Sequence, residues 1–386
     1  MSWDKVKLVE LYTVHNGLSK GRQFFGAGFP FLSFSTVFNN YFIPSELSDL
    51  VQSTEKEQKD YSICRGDVFV TRTSETSDEL GMSCVALKDY PCATYNGFTK
   101  RMRPIAPNRV LPEYIGYYMR MPSFRGEFKA FSTMTTRASL RNEDLLSLEV
   151  VLPPMETQQK IAKLLSAYDD LIENNQKQIK LLEEAAQRLY KEWFVDFRFP
   201  GYENAPIIDG VPQGWRKELV GNVIEKSYRS KQVMTADYLE EGKIPVIDQS
   251  RDFIAGYTDD EETVVSLGKP VIVFGDHTRI LKYIQFPFAK GADGTQLIIS
   301  KCENMTQPLL YLSLLEIDLS NYHYARHFKY LKAEEIIVPD IITAKHLEKL
   351  VQPIFAKVQI LRNQINNAKQ ARDRLLPKLM SGELEV

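Results

Sequence analysis

From Ile161 onward, seam positions recur at alternating steps of four and three residues: Ile161, Leu165, Tyr168, Ile172, Asn175, Ile179, Leu182, Ala186, Leu189 and Trp193. The same steps return at Leu347, Val351, Ile354, Val358, Leu361, Ile365, Ala368, Arg372, Leu375 and Leu379. A mean spacing of about 3.5 residues is that of a coiled-coil seam, and ordinary surface helices rarely hold it this long. Two long helices are therefore predicted, packed antiparallel. At about 1.5 Å per residue, some 40 residues make a rod of roughly 60 Å. Asn175 stands on the seam. A buried amide there would fix register at some cost in stability; a frayed or solvated point would explain it equally well. Pro353 falls inside the second pattern and removes a helix hydrogen bond, so a break is predicted there, with a short helix before it. Pro377 and Gly382 are predicted to end the helix.

The two helical patterns are copies. The stretch from Leu152 returns without a gap 186 positions later, from Val338, with Pro153 matching Pro339 and Arg188 matching Arg374. Each copy follows a mixed segment with short β-prone runs and turn residues between them. In the first these runs are Phe29–Phe34, Asp67–Thr71 and Cys84–Leu87, followed by a helix-like PEYIGYYMR from Pro112. The second segment echoes the first at a shrinking offset: Trp3 matches Trp215, Gly66 matches Gly268, and PEYIGYYMR matches QPLLYLSLLE. Loops have changed length while the framework persisted. GYENAPIIDGVPQGW, residues 201–215, reads as a linker. The fold class is therefore α+β: two similar mixed α/β domains joined by two long antiparallel coiled-coil helices, with a pseudo-two-fold internal repeat. The segments are 1–151 and 199–337 for the domains, and 152–198 and 338–386 for the helical regions. Duplex DNA is the commonest partner with matching two-fold character.

The chain of 386 residues carries a net charge of −2, which by itself gives no hint of nucleic acid. Its distribution does. Residues 42–89 hold 10 acidic and 5 basic side chains, whereas residues 90–141 hold 9 basic and 2 acidic. The four cysteines show no metal or disulfide spacing, and no apolar run is long enough for a membrane span. The start, MSWDKVKLVE, has no apolar signal core, so a reducing cytoplasm is expected.

Catalytic signals are weak. FFGAG, residues 24–28, fits an S-adenosylmethionine-binding pattern without the helix that should follow. Asp49, Glu57 and Lys59 make a loose metal-nuclease spacing inside a charge run. His323 and His327 could pair on a helix but lack a third ligand nearby in sequence. No phosphate-binding GxxxxGK[ST] loop is encoded. Basic clusters are more informative, because phosphates take Lys and Arg, and base edges take Arg, His, Asn and Gln. In the second copy these are His323, Arg326, His327 and Lys329 in NYHYARHFKYLK, with His277, Arg279 and Lys282 in GDHTRILK. The first copy carries Arg137 and Arg141 at the place corresponding to NYHYARHFKYLK, and a second knot of Lys100, Arg101 and Arg103.

With these residues in view, SLRNEDLLSLEVVLPPMETQQKIAKLL and the KEWFVDF ending resemble the first helical region of specificity subunits of type I restriction-modification enzymes. ARDRLLPKLMSGEL resembles the end of their second, and the resemblance spans the chain, though it is looser at 340–345. It implies a non-catalytic subunit whose two target-recognition domains each read one half of a bipartite, asymmetric site on double-stranded DNA. The helices would set the gap. Two modification (methyltransferase) subunits would dock on them, and restriction/translocase subunits would join. S-adenosylmethionine, ATP and Mg would then belong to those partners, with no cofactor or metal in this chain and no membrane contact. A self-contained DNA methyltransferase or nuclease would need a catalytic motif, and a methylation assay on the isolated chain discriminates it. A coiled-coil scaffold would lack DNA affinity, which a salt-dependent gel shift decides.

Overall fold

A computed structural model describes residues 3–74, 80–130, 138–225, 230–322 and 326–386. By internal contacts the chain forms two units, Met1–Glu173 with Asn366–Val386, and Asn174–Ile365.

The first unit is built around the strand Val68–Thr71, whose sequence VFVT is wholly buried. β-Branched and aromatic side chains suit such a doubly covered strand. It lies between Thr99–Pro104 and Ser83–Val85, both antiparallel, and Tyr12–Asn16 pairs with the far side of Thr99–Pro104. A second small sheet places Phe25–Leu32 between Leu50–Val51 and Thr94–Tyr95. The helix Pro112–Tyr118 starts with proline at its first turn, where the missing N–H costs nothing, and it buries Tyr114, Ile115 and Tyr117 against the main sheet.

The second unit repeats this plan. Val271–Gly275 lies between Leu281–Ile284 and Thr295–Ile298, all antiparallel. A mixed sheet sets Ile244–Ile247 between Phe288–Gly291 and Gly256–Thr258. The helix Gln307–Leu315 again begins with proline in its first turn and is buried along eight residues. Both units close the same way: Glu149–Leu152 pairs antiparallel with Asp4–Lys7, and Glu335–Val338 with Arg216–Leu219. Each ladder leads directly into a long helix, Met155–Tyr190 and Ile341–Ser381.

The helices pair antiparallel within each unit. In the first, Ile161 and Leu165 share a core with Leu376, Leu379 and Met380, and Arg372 bonds Asp169. In the second, Ala186 and Tyr190 meet Leu347, Val351 and Phe355, and the rings of Trp193 and His346 lie 5.2 Å apart. No seam position is exposed: Ile161, Leu165, Ile172, Leu347, Val351, Val358 and Leu361 are buried, while Tyr168, Ile179, Leu182, Leu189, Ile365 and Leu375 are half-buried. Asn175 is only 2 % exposed, and its amide donates to Gln364 Oε1 at 3.3 Å. That decides between the two readings of this residue in favour of a buried, partnered amide. Leu182→Ala removes a half-buried seam side chain, so urea unfolding should show a loss of about 2 kcal/mol, the low end for leucine truncation. An unchanged midpoint would place the seam in water.

Three expectations are corrected. The second helix runs unbroken through Pro353. One lost hydrogen bond and a ring clash cost about 3 kcal/mol, and burial of Val351 and Phe355 on either side of the proline offsets it. The helix also passes Pro377 and ends at Ser381, where Gly382 takes a φ of +76° that favours glycine. The segment 201–215 is no free linker. It contains the hairpin Ile207–Ile208 with Val211–Pro212, and Trp215 packs on Phe194 and Phe199 while its indole N–H donates to Asp340 at 3.0 Å.

Candidate nucleic-acid interface

In the second unit the central strand Val271–Gly275 delivers a tight turn, Asp276 to Arg279. Asp276 is 4 % exposed and organises the surroundings. Its carbonyl accepts the His327 N–H at 2.9 Å, and its carboxylate accepts the Phe328 N–H at 2.7 Å. Two clusters almost 50 positions apart in sequence are thereby brought side by side. Gln249 joins them, accepting the His277 N–H at 3.0 Å and, at its carbonyl, the Thr278 hydroxyl at 2.7 Å. Arg279 sits at φ +63°, and its guanidinium donates to the Leu319 carbonyl at 2.9 Å. His277, Arg279, Arg326 and Lys329 are exposed, leaving cationic and amphoteric side chains on one rim.

Not every basic residue of these motifs faces outward. His327 is 7 % exposed, with Nδ1 buried and unbonded. Lys282 is 4 % exposed, donates to the Asp252 carbonyl, and lies 3.9 Å from Asp248. Burial pushes its ammonium down to about 8. Lys282 therefore serves the interior of this unit, which corrects its sequence assignment as a DNA contact. His323 lies outside the described residues.

The first unit has the equivalent construction. The residue after the central strand is Arg72, and its carbonyl accepts the Leu140 N–H at 2.9 Å. This is the counterpart of the bond between His327 and Asp276. Each bond ties the end of the central strand to the short helix that precedes the closing ladder, Asn142–Ser147 here and Phe328–Leu331 there. Arg141 is exposed at the start of its helix, and Lys100 reaches the Asn142 side chain. Arg137 lies outside the described residues.

Arg101 and Arg103 are corrected as Lys282 was. Arg101 is 7 % exposed, donates to the Ser62 carbonyl at 2.7 Å, and stacks over Tyr95. Arg103 makes a two-pronged pair with the fully buried Asp67, at 2.8 and 2.6 Å. A planar guanidinium so matched to a carboxylate holds the 60–67 loop and has little left for a phosphate. Arg72 was missed because it stands alone in sequence. The match of GDVFVTRT to GKPVIVFGDHTR was the signal that could have found it.

The weak catalytic patterns acquire other roles. Glu57 caps the helix Glu55–Asp60 reciprocally with Thr54 and takes Lys20 at 2.7 Å. FFGAG forms the first half of the strand Phe25–Leu32, all but Phe24 lying in it, rather than a phosphate-binding loop. Among the described residues there is no group of three His, Cys, Asp or Glu able to hold a metal ion, and no helix is long and apolar enough to cross a membrane.

Residues 2–184 match the family model for a type I restriction modification DNA specificity domain. The type I restriction enzyme MjaIX specificity subunit of Methanocaldococcus jannaschii is 29 % identical over 415 aligned residues, covering 100 % of this chain and 94 % of that protein. A putative MjaX specificity subunit from the same organism is 22 % identical over 410 residues, with the same coverage. Among solved structures, the type I restriction-modification S subunit from M. genitalium aligns with a TM-score of 0.57 at 16 % identity, over 98 % of this chain and 96 % of that one, so the fold is shared. The chain is thus similar along its whole length to type I restriction-modification specificity subunits, with the family model matching its first half.

Proposed function

We propose that each unit reads one half of a bipartite, asymmetric site on double-stranded DNA, and that the paired helices set the gap between halves and receive two methyltransferase subunits. One observation carries this reading. The same strand-end to short-helix bond recurs in both units, and each time it gathers basic side chains, although the loops differ in sequence and length. A framework kept while its loops diverge suits two readers of different sequences. The chain supplies specificity without catalysis. S-adenosylmethionine, ATP and Mg belong in this proposal to the methyltransferase and translocating nuclease partners, with the cytoplasm as the place of assembly.

Arg326→Ala in the assembled methyltransferase tests the assignment. A good base contact is worth about 1–3 kcal/mol, whereas a lost phosphate contact weakens all sequences alike. Methylome sequencing should show relaxed bases only in the half-site of the second unit if Arg326 reads a base. If it holds phosphate, the salt slope of binding should flatten by about 1. Unchanged affinity together with an unchanged methylome would make this cluster plain solvated surface. Relaxation in the other half-site would reverse the assignment of halves.

A further inference from the structure

Beside the Arg72–Leu140 bond of the first unit lies a cavity of about 550 Å³. Asn16, Arg72, Lys100, Arg141, Asn142 and Glu143 line it. Three cations thus face one carboxylate, and none of the three has an ion-pair partner among the described residues. Lys100 is 5 % exposed, yet among the described residues its ammonium donates only to the neutral side-chain oxygen of Asn142. Burial, and then the charge of Arg72, hold that ammonium below its ordinary range, while Asp144 acts the other way. Arg72 Nε is buried without a hydrogen-bond partner. Unpaired buried cations are costly, and an arrangement that gathers them stays favourable when an anion completes it. The neighbouring cation Arg103 makes the contrast, since its Nε and Nη2 are both matched by the Asp67 carboxylate.

We propose that this cavity binds one backbone phosphate of the DNA half-site read by the first unit, with Arg72 and Lys100 as its anchoring cations and Asn16 and Asn142 as amide donors. The inference rests on the DNA-reading proposal above and adds residues that the sequence motifs left out. A phosphodiester fits better than a base edge because the donors converge from four separate segments on one cavity. A base edge is met by a single planar fork.

The test uses the full chain assembled with its methyltransferase subunits. The probes are a 40-base-pair duplex carrying the sequence found by methylome sequencing and a scrambled duplex of the same length. Wild-type binding to the first and its preference over the second test the underlying reading by themselves; failure there removes that reading and this one together. With wild-type binding in hand, Arg72→Ala should weaken both duplexes by a similar factor, about tenfold, and reduce the salt slope by about 1. Arg72→Lys should restore most of the slope, and Lys100→Met should repeat the effect of Arg72→Ala. Ethylation interference should lose one protected phosphate, within a single half-site, in both Arg72→Ala and Lys100→Met. Thermal unfolding of Arg72→Ala should match wild type, since Nε has no protein partner to lose. Unchanged affinity and slope would overturn the proposal, as would relaxed specificity at one base pair with the slope preserved.

Discussion

Deleting four residues from each long helix, 174–177 and 363–366, should shorten the gap in the recognised sequence while leaving the bases of both halves unchanged. Both deletions are needed because the helices pair antiparallel about Asn175 and Gln364, so removing one side alone would shear the seam. Four helical residues advance about 6 Å, and duplex DNA advances about 3.4 Å per base pair, so translation alone asks for roughly two base pairs. Four residues also turn the helix through about 40° beyond a full turn, close to the twist of roughly one base pair. The expected change is therefore between about one and two base pairs. A loss of four from a pattern of seven locally overwinds a coiled coil without abolishing it. Methylome sequencing of cells carrying the deleted subunit reads the gap directly. An unchanged gap would refute the ruler role of the helices, and altered half-sites would show that the deletion disturbs the reading loops.

How much of this could be read from the chain differs by element. The helix pairing was legible because a seam is a local signal: each position is three or four residues from the next. The central strands VFVT and VIVFG were legible for the same reason, as short β-branched and aromatic runs bounded by turns. Pro353 misled because its cost is local, whereas the burial of Val351 and Phe355 that offsets it is tertiary. The fate of individual cations was illegible too. Arg103 finds Asp67 at 36 positions' separation, and Lys282 finds the Asp252 carbonyl at 30. Nothing in the sequence around either announces that its charge is already spent. Conversely Arg72 belongs to no cluster in sequence and joins Lys100 and Arg141 only through the fold. Local periodicity reveals frameworks, and charge density in one segment does not reveal which charges face solvent.

Arg372 occupies a seam position that the pattern elsewhere, Asn175 apart, fills with apolar residues, and Arg372→Ala should destabilise the first unit by about 3 kcal/mol. The residue is 9 % exposed, and its guanidinium lies 4.8 Å from the centre of the Tyr41 ring. It donates to Asp169 Oδ1 at 2.5 Å, while Asp169 Oδ2 accepts the Tyr117 hydroxyl at 2.5 Å. Removing the arginine leaves a partly covered carboxylate with one neutral donor. Breaking a fully buried pair costs roughly 3–5 kcal/mol, and the 27 % exposure of the Asp169 side chain argues for the lower end. The double change Arg372→Met with Asp169→Leu removes both charges and fills the seam with apolar volume, so it should recover most of the loss. Tyr117 would keep a buried hydroxyl without its partner, which holds recovery below the parent. Urea unfolding of the full chain, with hydrogen exchange of residues 155–173 to locate the effect, measures all three proteins. A single variant as stable as the parent would mean that the pair is solvated. A double variant worse than the single would mean that Asp169 is held in place by Tyr117 rather than by Arg372.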